Sequence, residues 1–398
     1  MQKNKPYRII LSGGGTGGHI FPAIAIANEL REVDPSVEIL FVGAIGKMEM
    51  EKVPRAGYKI VGLPVSAFHR RLTAKNLLFP FKLLASMIKA SRVVSEFKPD
   101  LVIGTGGFAS GPVLRVANRK GIPTLVQEQN SFPGVTNRLL AKKVGALCVA
   151  YPDMDRWFPA GKIVITGNPV RKDLKLPENR LAEAKASFNI TGKKPVILIF
   201  GGSQGARTLN QSLYASIDKI TKAPVDVIWQ TGTTFYQTAK VEVELMGAEN
   251  IRVMEFIYDM NFAYALAGLV VARSGAITLS ELSVLGKPAI LVPLPSAAEN
   301  HQAKNAQTFV DAGAALLVTD HDAPAQLVDA MLELINDAPR LAQMAENMTR
   351  FAKPDAVNQI VNVALKLLCH PDESRDPVPN HESQGGEPET RNPKPDTL

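Results

Sequence analysis

Cysteine is nearly absent. Cys148 and Cys369 are the only two in 398 residues, and neither belongs to a metal-ligand spacing. A disulfide framework and a zinc ribbon are therefore excluded, and both thiols are expected to be buried in a reducing compartment, the cytosol. No run of 18 apolar residues occurs, so no segment is expected to cross a bilayer as a helix. The opening Met-Gln-Lys-Asn-Lys-Pro leads straight into an apolar run and does not read as a signal peptide. Aromatic residues are only 6% of the chain. Acidic residues are missing altogether between Lys52 and Ser95.

That gap belongs to a wider asymmetry. Residues 1–166 hold 23 Lys and Arg against 11 Asp and Glu, residues 167–369 hold 19 against 20, and residues 370–398 hold 3 against 7. The net charge of +7 thus comes from the first half. Such a bias fits nucleic acid, a membrane surface or an acidic substrate, and composition does not choose among them.

What is present is one Gly-rich turn made twice. Residues 8–18 read Arg-Ile-Ile-Leu-Ser-Gly-Gly-Gly-Thr-Gly-Gly, and residues 196–205 read Val-Ile-Leu-Ile-Phe-Gly-Gly-Ser-Gln-Gly. Each is an apolar run entering a glycine cluster that opens a helix-like stretch, which sets backbone N–H groups against an anion. Apolar runs near 7–12, 37–43, 60–63, 100–103, 123–128 and 146–150 predict a parallel sheet in the first half. Runs near 195–200, 225–231, 251–254, 269–272, 288–293 and 314–318 predict a second. The expected organisation is one domain at 1–166 and a second at 167–350, with the boundary near residue 166. A helix at 351–369, with one apolar stripe from Val357 to Leu368, can return to the first domain. Residues 370–398 are polar, Pro-rich and expected to be disordered.

Five constellations carry chemistry. Gly13 to Gly18 is followed by His19, which a helix N-terminus would keep neutral, either as a general base or as a loop cap. The run lacks the acid that a dinucleotide site places after its second strand, since that strand ends Leu40-Phe41-Val42-Gly43. Gly104-Thr105-Gly106-Gly107 follows another apolar run, and two such loops suit a pyrophosphate held by backbone donors. Gln127-Glu128-Gln129-Asn130 suits sugar hydroxyls or a solvated loop. In the second half, Gly201 to Arg207, Arg273 to Glu281 and Glu299 to Gln302 read as an anion loop, a helix start and polar readers. Glu281, two turns into that helix, either takes both ribose hydroxyls or lies on a solvated helix face, and its place beyond an anion loop favours the first.

The acid-free stretch interleaves His69, Arg70, Arg71, Lys75, Lys82, Lys89 and Arg92 with Leu77, Leu78, Phe79, Phe81, Leu83, Leu84, Met87 and Ile88. The apolar bulk beside Phe79-Pro80-Phe81 favours a segment lying on an anionic bilayer over a core helix with a basic face. A nucleic-acid groove would need more base-stacking aromatics.

These motifs occur in the order found in the MurG-type bacterial peptidoglycan GlcNAc transferases of glycosyltransferase family 28, which convert lipid I to lipid II. The chain resembles that family from about residue 7 to 368, with Gly167-Asn168-Pro169-Val170-Arg171 between the two halves. The resemblance implies an α/β GT-B fold, two Rossmann-like domains with parallel sheets facing a central cleft. It implies UDP-GlcNAc as donor, held mainly by the second domain, and lipid I as acceptor, taken by the first, membrane-binding domain. No protein-bound metal or other cofactor is expected, because no Asp-x-Asp pair sits in a suitable loop and Asp153-Met154-Asp155 follows a first-domain strand, which leaves a metal carried by the acceptor pyrophosphate open; no nucleic acid is expected either. It implies donor contacts from Thr16, Gly17, Gly18 and Asn130. In the second domain it implies Arg171, Ser203, Ile257, Ala276, Ile277, Thr278, Leu279, Ser280, Glu281 and Gln302. Glu281 would take the ribose, the backbone at Ile257 the uracil, the helix after Gly275 the diphosphate, and Gln302 the sugar hydroxyls.

The expected reaction is one in-line displacement with inversion. His19 is the candidate base, with Glu128 as the other, and helix N–H groups and Arg171 meet the leaving charge. Residues 69–88 would meet the cytoplasmic face of the inner membrane, which leaves room for cell-wall synthesis and division proteins as partners. The rival readings are another GT-B glycolipid glycosyltransferase, an NAD-dependent oxidoreductase, and a non-catalytic nucleotide-binding or scaffold protein.

Overall fold

A computed structural model describes residues 5–65, 79–202, 205–297 and 300–369. His69 to Leu78, Ser203, Gln204, Glu299 and the 370–398 tail therefore lie outside the described residues.

The first sheet contains β1 (Arg8–Gly13), β2 (Glu38–Ala44), β3 (Lys59–Leu63), β4 (Leu101–Gly106), β5 (Thr124–Glu128), β6 (Ala146–Val149) and β7 (Ile163–Ile165). Its order is β3-β2-β1-β4-β5-β6-β7, and neighbouring strands pair in parallel. The second sheet contains β8 (Val196–Phe200), β9 (Asp226–Gln230), β10 (Ile251–Met254), β11 (Ala267–Ala272), β12 (Ala289–Leu291) and β13 (Ala315–Leu317), in the order β10-β9-β8-β11-β12-β13. The seventh strand of the first sheet, a three-residue edge piece, is not expected from the sequence, because Ile-Val-Ile is too short to signal a strand by pattern.

Continuous apolar strands follow from burial on both faces. Ile9 and Leu11 point to one side with Phe41, Leu101 and Ile103, while Ile10 points to the other with Val42, Val102 and Val126. The second sheet alternates likewise, with Ile197, Ile199 and Trp229 opposite Leu198, Phe200 and Ile228. The helix Ala356–Cys369 sets Val357, Ile360, Val361, Ala364 and Leu367 into the first domain's core beside Ile20 and Ile26. Cys148 is buried, but Cys369 at the end of that helix is exposed, contrary to the expectation of two buried thiols.

In both sheets the strand order reverses once, between β1 and β4 and between β8 and β11. At such a reversal the following helices leave toward opposite faces and open a crevice at the strands' carboxyl ends. The glycine turns sit at these two points.

Candidate functional site

The two crevices face one another across a cleft of about 2810 Å³, lined by the turns after β1 and β4 on one wall and after β8 and β11 on the other. Thr16, Gly17, Gly18, His19 and Asn130 belong to the first wall. Arg171, Ile257, Ala276, Ile277, Thr278, Glu281 and Gln302 belong to the second.

His19 lies in the first turn of the helix Gly17–Val33. Its Nδ1 is 3.2 Å from the Gly14 carbonyl oxygen and 3.2 Å from Thr16 Oγ1. A carbonyl can only accept, so Nδ1 carries the proton and Nε2 keeps its lone pair. The ring rests against Gly106, whose φ of +98° and open Cα make room; a Cβ there would stand 2.8 Å from His19 Cδ2. Burial lowers the imidazole pKa below its ordinary value, against the upward pull of the Glu128 carboxylate and the Gly14 carbonyl. The neutral form thus prevails near pH 7, chiefly through desolvation rather than the helix N-terminus named from the sequence.

Glu128 is placed differently from what the sequence implies. It is buried, and its Oε1 accepts from the Asn130 backbone and side-chain amides at 3.0 and 3.2 Å. Its Oε2 accepts from Gly134 N at 3.0 Å and Asn137 Nδ2 at 2.8 Å. Four donors fill a carboxylate's acceptor positions. Glu128 therefore orders the loop after β5 and has no lone pair left for a substrate proton. Its neighbours are no solvated loop either: Gln127 and Gln129 are buried, and Gln129 donates to the Thr105 carbonyl at 2.8 Å.

The first glycine turn is not an open anion cradle. Its Gly15 N–H donates at 3.0 Å to the buried carboxylate of Glu49, which also accepts from Ala44 N at 2.9 Å.

On the second wall the helix Ala276–Leu285 starts at Gly275 with no side-chain cap, so its first amides face the cleft. Uncapped N-terminal N–H groups carry partial positive charge and suit a phosphate. Glu281 follows on the same helix. Tyr264 donates its hydroxyl to Glu281 Oε2 at 3.0 Å, and Arg171 Nε lies 3.6 Å from Oε1. Burial raises the Glu281 pKa and the Arg171 charge opposes that. Arg171 thus leans on Glu281 rather than standing free for a leaving group. Leu279 and Ser280 do not reach the cleft. Leu279 is in the core, and Ser280 Oγ donates to the Ala276 carbonyl at 2.9 Å.

The Ile257 amide expected to meet a base is occupied as well, donating to Gln230 Oε1 at 2.9 Å, while Gln230 Nε2 donates to the Gly202 carbonyl at 3.0 Å. Gln302 uses Oε1 to accept from Leu294 N at 2.9 Å, which leaves its NH2 toward the cleft. Glu49, Tyr264 and Gln230 are the residues that sequence reasoning misses. No local pattern marks them, because each acts on a segment distant in the chain.

Contacts between the domains brace the cleft. Asn168 Nδ2 donates to the Gln129 carbonyl at 3.1 Å and to Ser280 Oγ at 3.0 Å, while its Oδ1 accepts from Gln127 at 3.0 Å. Lys52 of the first domain lies 4.7 Å from the Phe256 ring centroid of the second. Among the described residues no group of three His, Cys, Asp or Glu is arranged to hold a metal ion.

The helix Phe79–Phe97 exposes Phe81 (72%), Leu84 (61%) and Ile88 (58%) alongside exposed Lys82, Lys89 and Arg92. Exposed Leu139, Lys142 and Lys143 add to the apolar and basic surface of this domain. No helix among the described residues is long and apolar enough to cross a membrane.

The family model "Glycosyltransferase family 28 N-terminal domain" matches residues 9–148, and "Glycosyltransferase family 28 C-terminal domain" matches residues 196–360. A protein of Cytophaga hutchinsonii named UDP-N-acetylglucosamine–N-acetylmuramyl-(pentapeptide) pyrophosphoryl-undecaprenol N-acetylglucosamine transferase is 49% identical over 368 residues, covering 92% of this chain and 99% of that one. A protein of the same name from Parabacteroides distasonis is 48% identical, covering 92% and 99%. The crystal structure of Acinetobacter baumannii MurG superposes with a TM-score of 0.69 at 30% identity, over 91% of this chain and 100% of that one.

Proposed function

Because the chain belongs to glycosyltransferase family 28, we propose that its two facing walls divide the work of one sugar transfer. The enzyme moves N-acetylglucosamine from UDP-GlcNAc to the 4-hydroxyl of the muramyl sugar of lipid I, giving lipid II for peptidoglycan synthesis.

The second wall takes the donor. The free amides of Ala276, Ile277 and Thr278 meet the diphosphate, Glu281 the ribose hydroxyls, the Ile257 segment the uracil, and the Gln302 amide the sugar. Asn130, Thr16, Gly17 and Gly18 border the sugar from the first wall.

The acceptor enters from the first domain. Its 4-hydroxyl oxygen attacks the anomeric carbon as the bond from that carbon to the phosphate oxygen breaks, and the electron pair leaves with UDP. His19 Nε2 takes the hydroxyl proton. An α-linked donor then gives a β-linked product in a single displacement. The helix amides are preorganised donors for the charge that develops on UDP. The observation carrying this reading is one cleft lined on its first wall by His19, whose Nδ1 is taken up by the Gly14 carbonyl, and on its second by an uncapped helix start. Offering the purified enzyme a panel of UDP-sugars and lipid acceptors tests it. Preference for UDP-GlcNAc with lipid I supports the assignment, and equal use of another pair overturns it.

Lipid I is membrane-bound, and the exposed apolar and basic surface of the helix Phe79–Phe97 is the side we assign to the anionic inner leaflet. The protein then sits as a peripheral enzyme on the cytoplasmic face of the inner membrane, with the cleft mouth close to its acceptor.

A further inference from the structure

A carboxylate of the chain itself fills the first glycine turn, and nothing in the reaction above uses it. Glu49 starts the helix Glu49–Arg55 and is fully buried. It accepts from Gly15 N at 3.0 Å with one oxygen and from Ala44 N at 2.9 Å with the other. Two glycines exist to admit it: a Cβ on Gly14 would collide with its carboxylate, and one on Gly43 would lie 2.5 Å from its Cγ. A buried carboxylate without donors is strongly disfavoured, so this clamp forms as a unit with its loop.

The loop it clamps carries the hydrogen bond that orients the imidazole. Gly14, adjacent to the clamped Gly15, supplies the carbonyl that accepts the His19 Nδ1 proton. We propose that Glu49 is a positioning residue for the transfer, fixing the Gly14–Gly15 backbone so that His19 presents Nε2 unprotonated to the acceptor hydroxyl. The inference rests on the reading of His19 as the base. Glu49 does not touch substrate; it acts through two backbone groups and through its charge.

The charge has a definite sign. The titratable groups acting on the imidazole are Glu128 at the end of β5, Glu49 on its own helix, and His301 on the helix His301–Asp311 across the cleft. The two carboxylates raise the His19 pKa and His301 lowers it, while burial outweighs them all. Neutralising Glu49 removes an upward pull, so His19 stays unprotonated to lower pH.

Three variants and two readouts separate the possibilities. In Glu49→Gln the kcat plateau is expected to fall about ten- to hundredfold, since a small misplacement of a catalytic group costs about that much. Its acid limb moves to lower pH. In Glu49→Asp the charge remains but the reach is shorter, so the plateau falls while the limb stays near its wild-type position. UDP affinity, set by the second domain, stays within about twofold in both variants, which shows that they fold. A Glu49→Gln enzyme with wild-type plateau and limb overturns the proposal, as does one that loses turnover with an unmoved limb. In His19→Ala the acid limb should vanish. If that limb persists unchanged, the base assignment itself fails, and the two failures are told apart.

Discussion

Tyr264 donates its hydroxyl proton to Glu281 Oε2 at 3.0 Å, from a ring wholly buried between β8 and the helix that bears Glu281. The bond fixes one carboxylate oxygen and leaves the other directed at Arg171 and the cleft. A ribose diol would find a carboxylate whose orientation is set beforehand, with little rotamer freedom still to lose on binding.

Glu281→Gln keeps the shape and removes the charge. Hydrogen bonds to charged groups contribute about 1.5–3 kcal/mol, so the donor KM and the UDP Kd are expected to rise about ten- to hundredfold, with a smaller change in kcat. Titration calorimetry with UDP checks this directly. Burial raises the Glu281 pKa, so in wild type UDP affinity should weaken as pH falls, beginning above the ordinary carboxylate range.

His19→Ala should leave UDP affinity intact and lower kcat by about 10²–10⁴, the usual contribution of a general base. The pH profile carries the sign: burial holds the imidazole below its ordinary pKa, so wild-type activity persists to more acidic pH than a free histidine allows. Loss of activity on the acid side marks protonation of His19, and that limb is absent in the variant.

Gly106→Ala tests the seat of the same ring. The position has φ of +98° and a Cβ would press on the imidazole at 2.8 Å. Strain at such a φ costs about 1–3 kcal/mol, and the ring must move as well. Turnover should fall at least tenfold with UDP binding unchanged, measured by initial rates and calorimetry.

Lys82→Ala and Lys89→Ala should each weaken binding to anionic vesicles by about fivefold at low salt, equivalent to about 1 kcal/mol per charge. Leu84→Glu should weaken it further in vesicles of any charge, since Leu84 is 61% exposed. Flotation with anionic and neutral vesicles, run at two salt concentrations, separates these effects. UDP affinity should not change.

Asn168→Ala removes two hydrogen bonds to the first domain, from Gln127 and to Gln129, and one to Ser280 of the second, and it leaves the buried Gln127 amide without its acceptor. A buried group left unpaired costs about 1–3 kcal/mol. The urea midpoint should drop, and kcat should fall because the two walls no longer hold one spacing.

Much of the fold is legible in the residues. Both sheets announce themselves through apolar runs such as Leu101-Val102-Ile103 and Ile197-Leu198-Ile199, since strands covered on both faces need apolar side chains at every position. The edge strand Ile163–Ile165 is not legible, being too short to show a period. At the site, glycine turns mark where backbone must approach a ligand, but the same turns also admit side chains of the protein. Glu49 in the first turn is such a case. The Gln127–Asn130 run shows the other limit: polar residues after a strand read as solvated or ligand-facing, whereas their partners, Thr105, Asn137 and Asn168, are brought in from other segments. Helix phase decides the rest, carrying Leu279 into the core while Glu281 on the same helix faces the cleft.

The central claim is that a donor held on one wall is consumed only when an acceptor hydroxyl is presented from the other. Release of UDP from UDP-GlcNAc, followed with and without lipid I, tests it most directly. Release that depends on lipid I and matches the lipid II formed is the predicted result. Release at the same rate without lipid I, or none with it, contradicts the account.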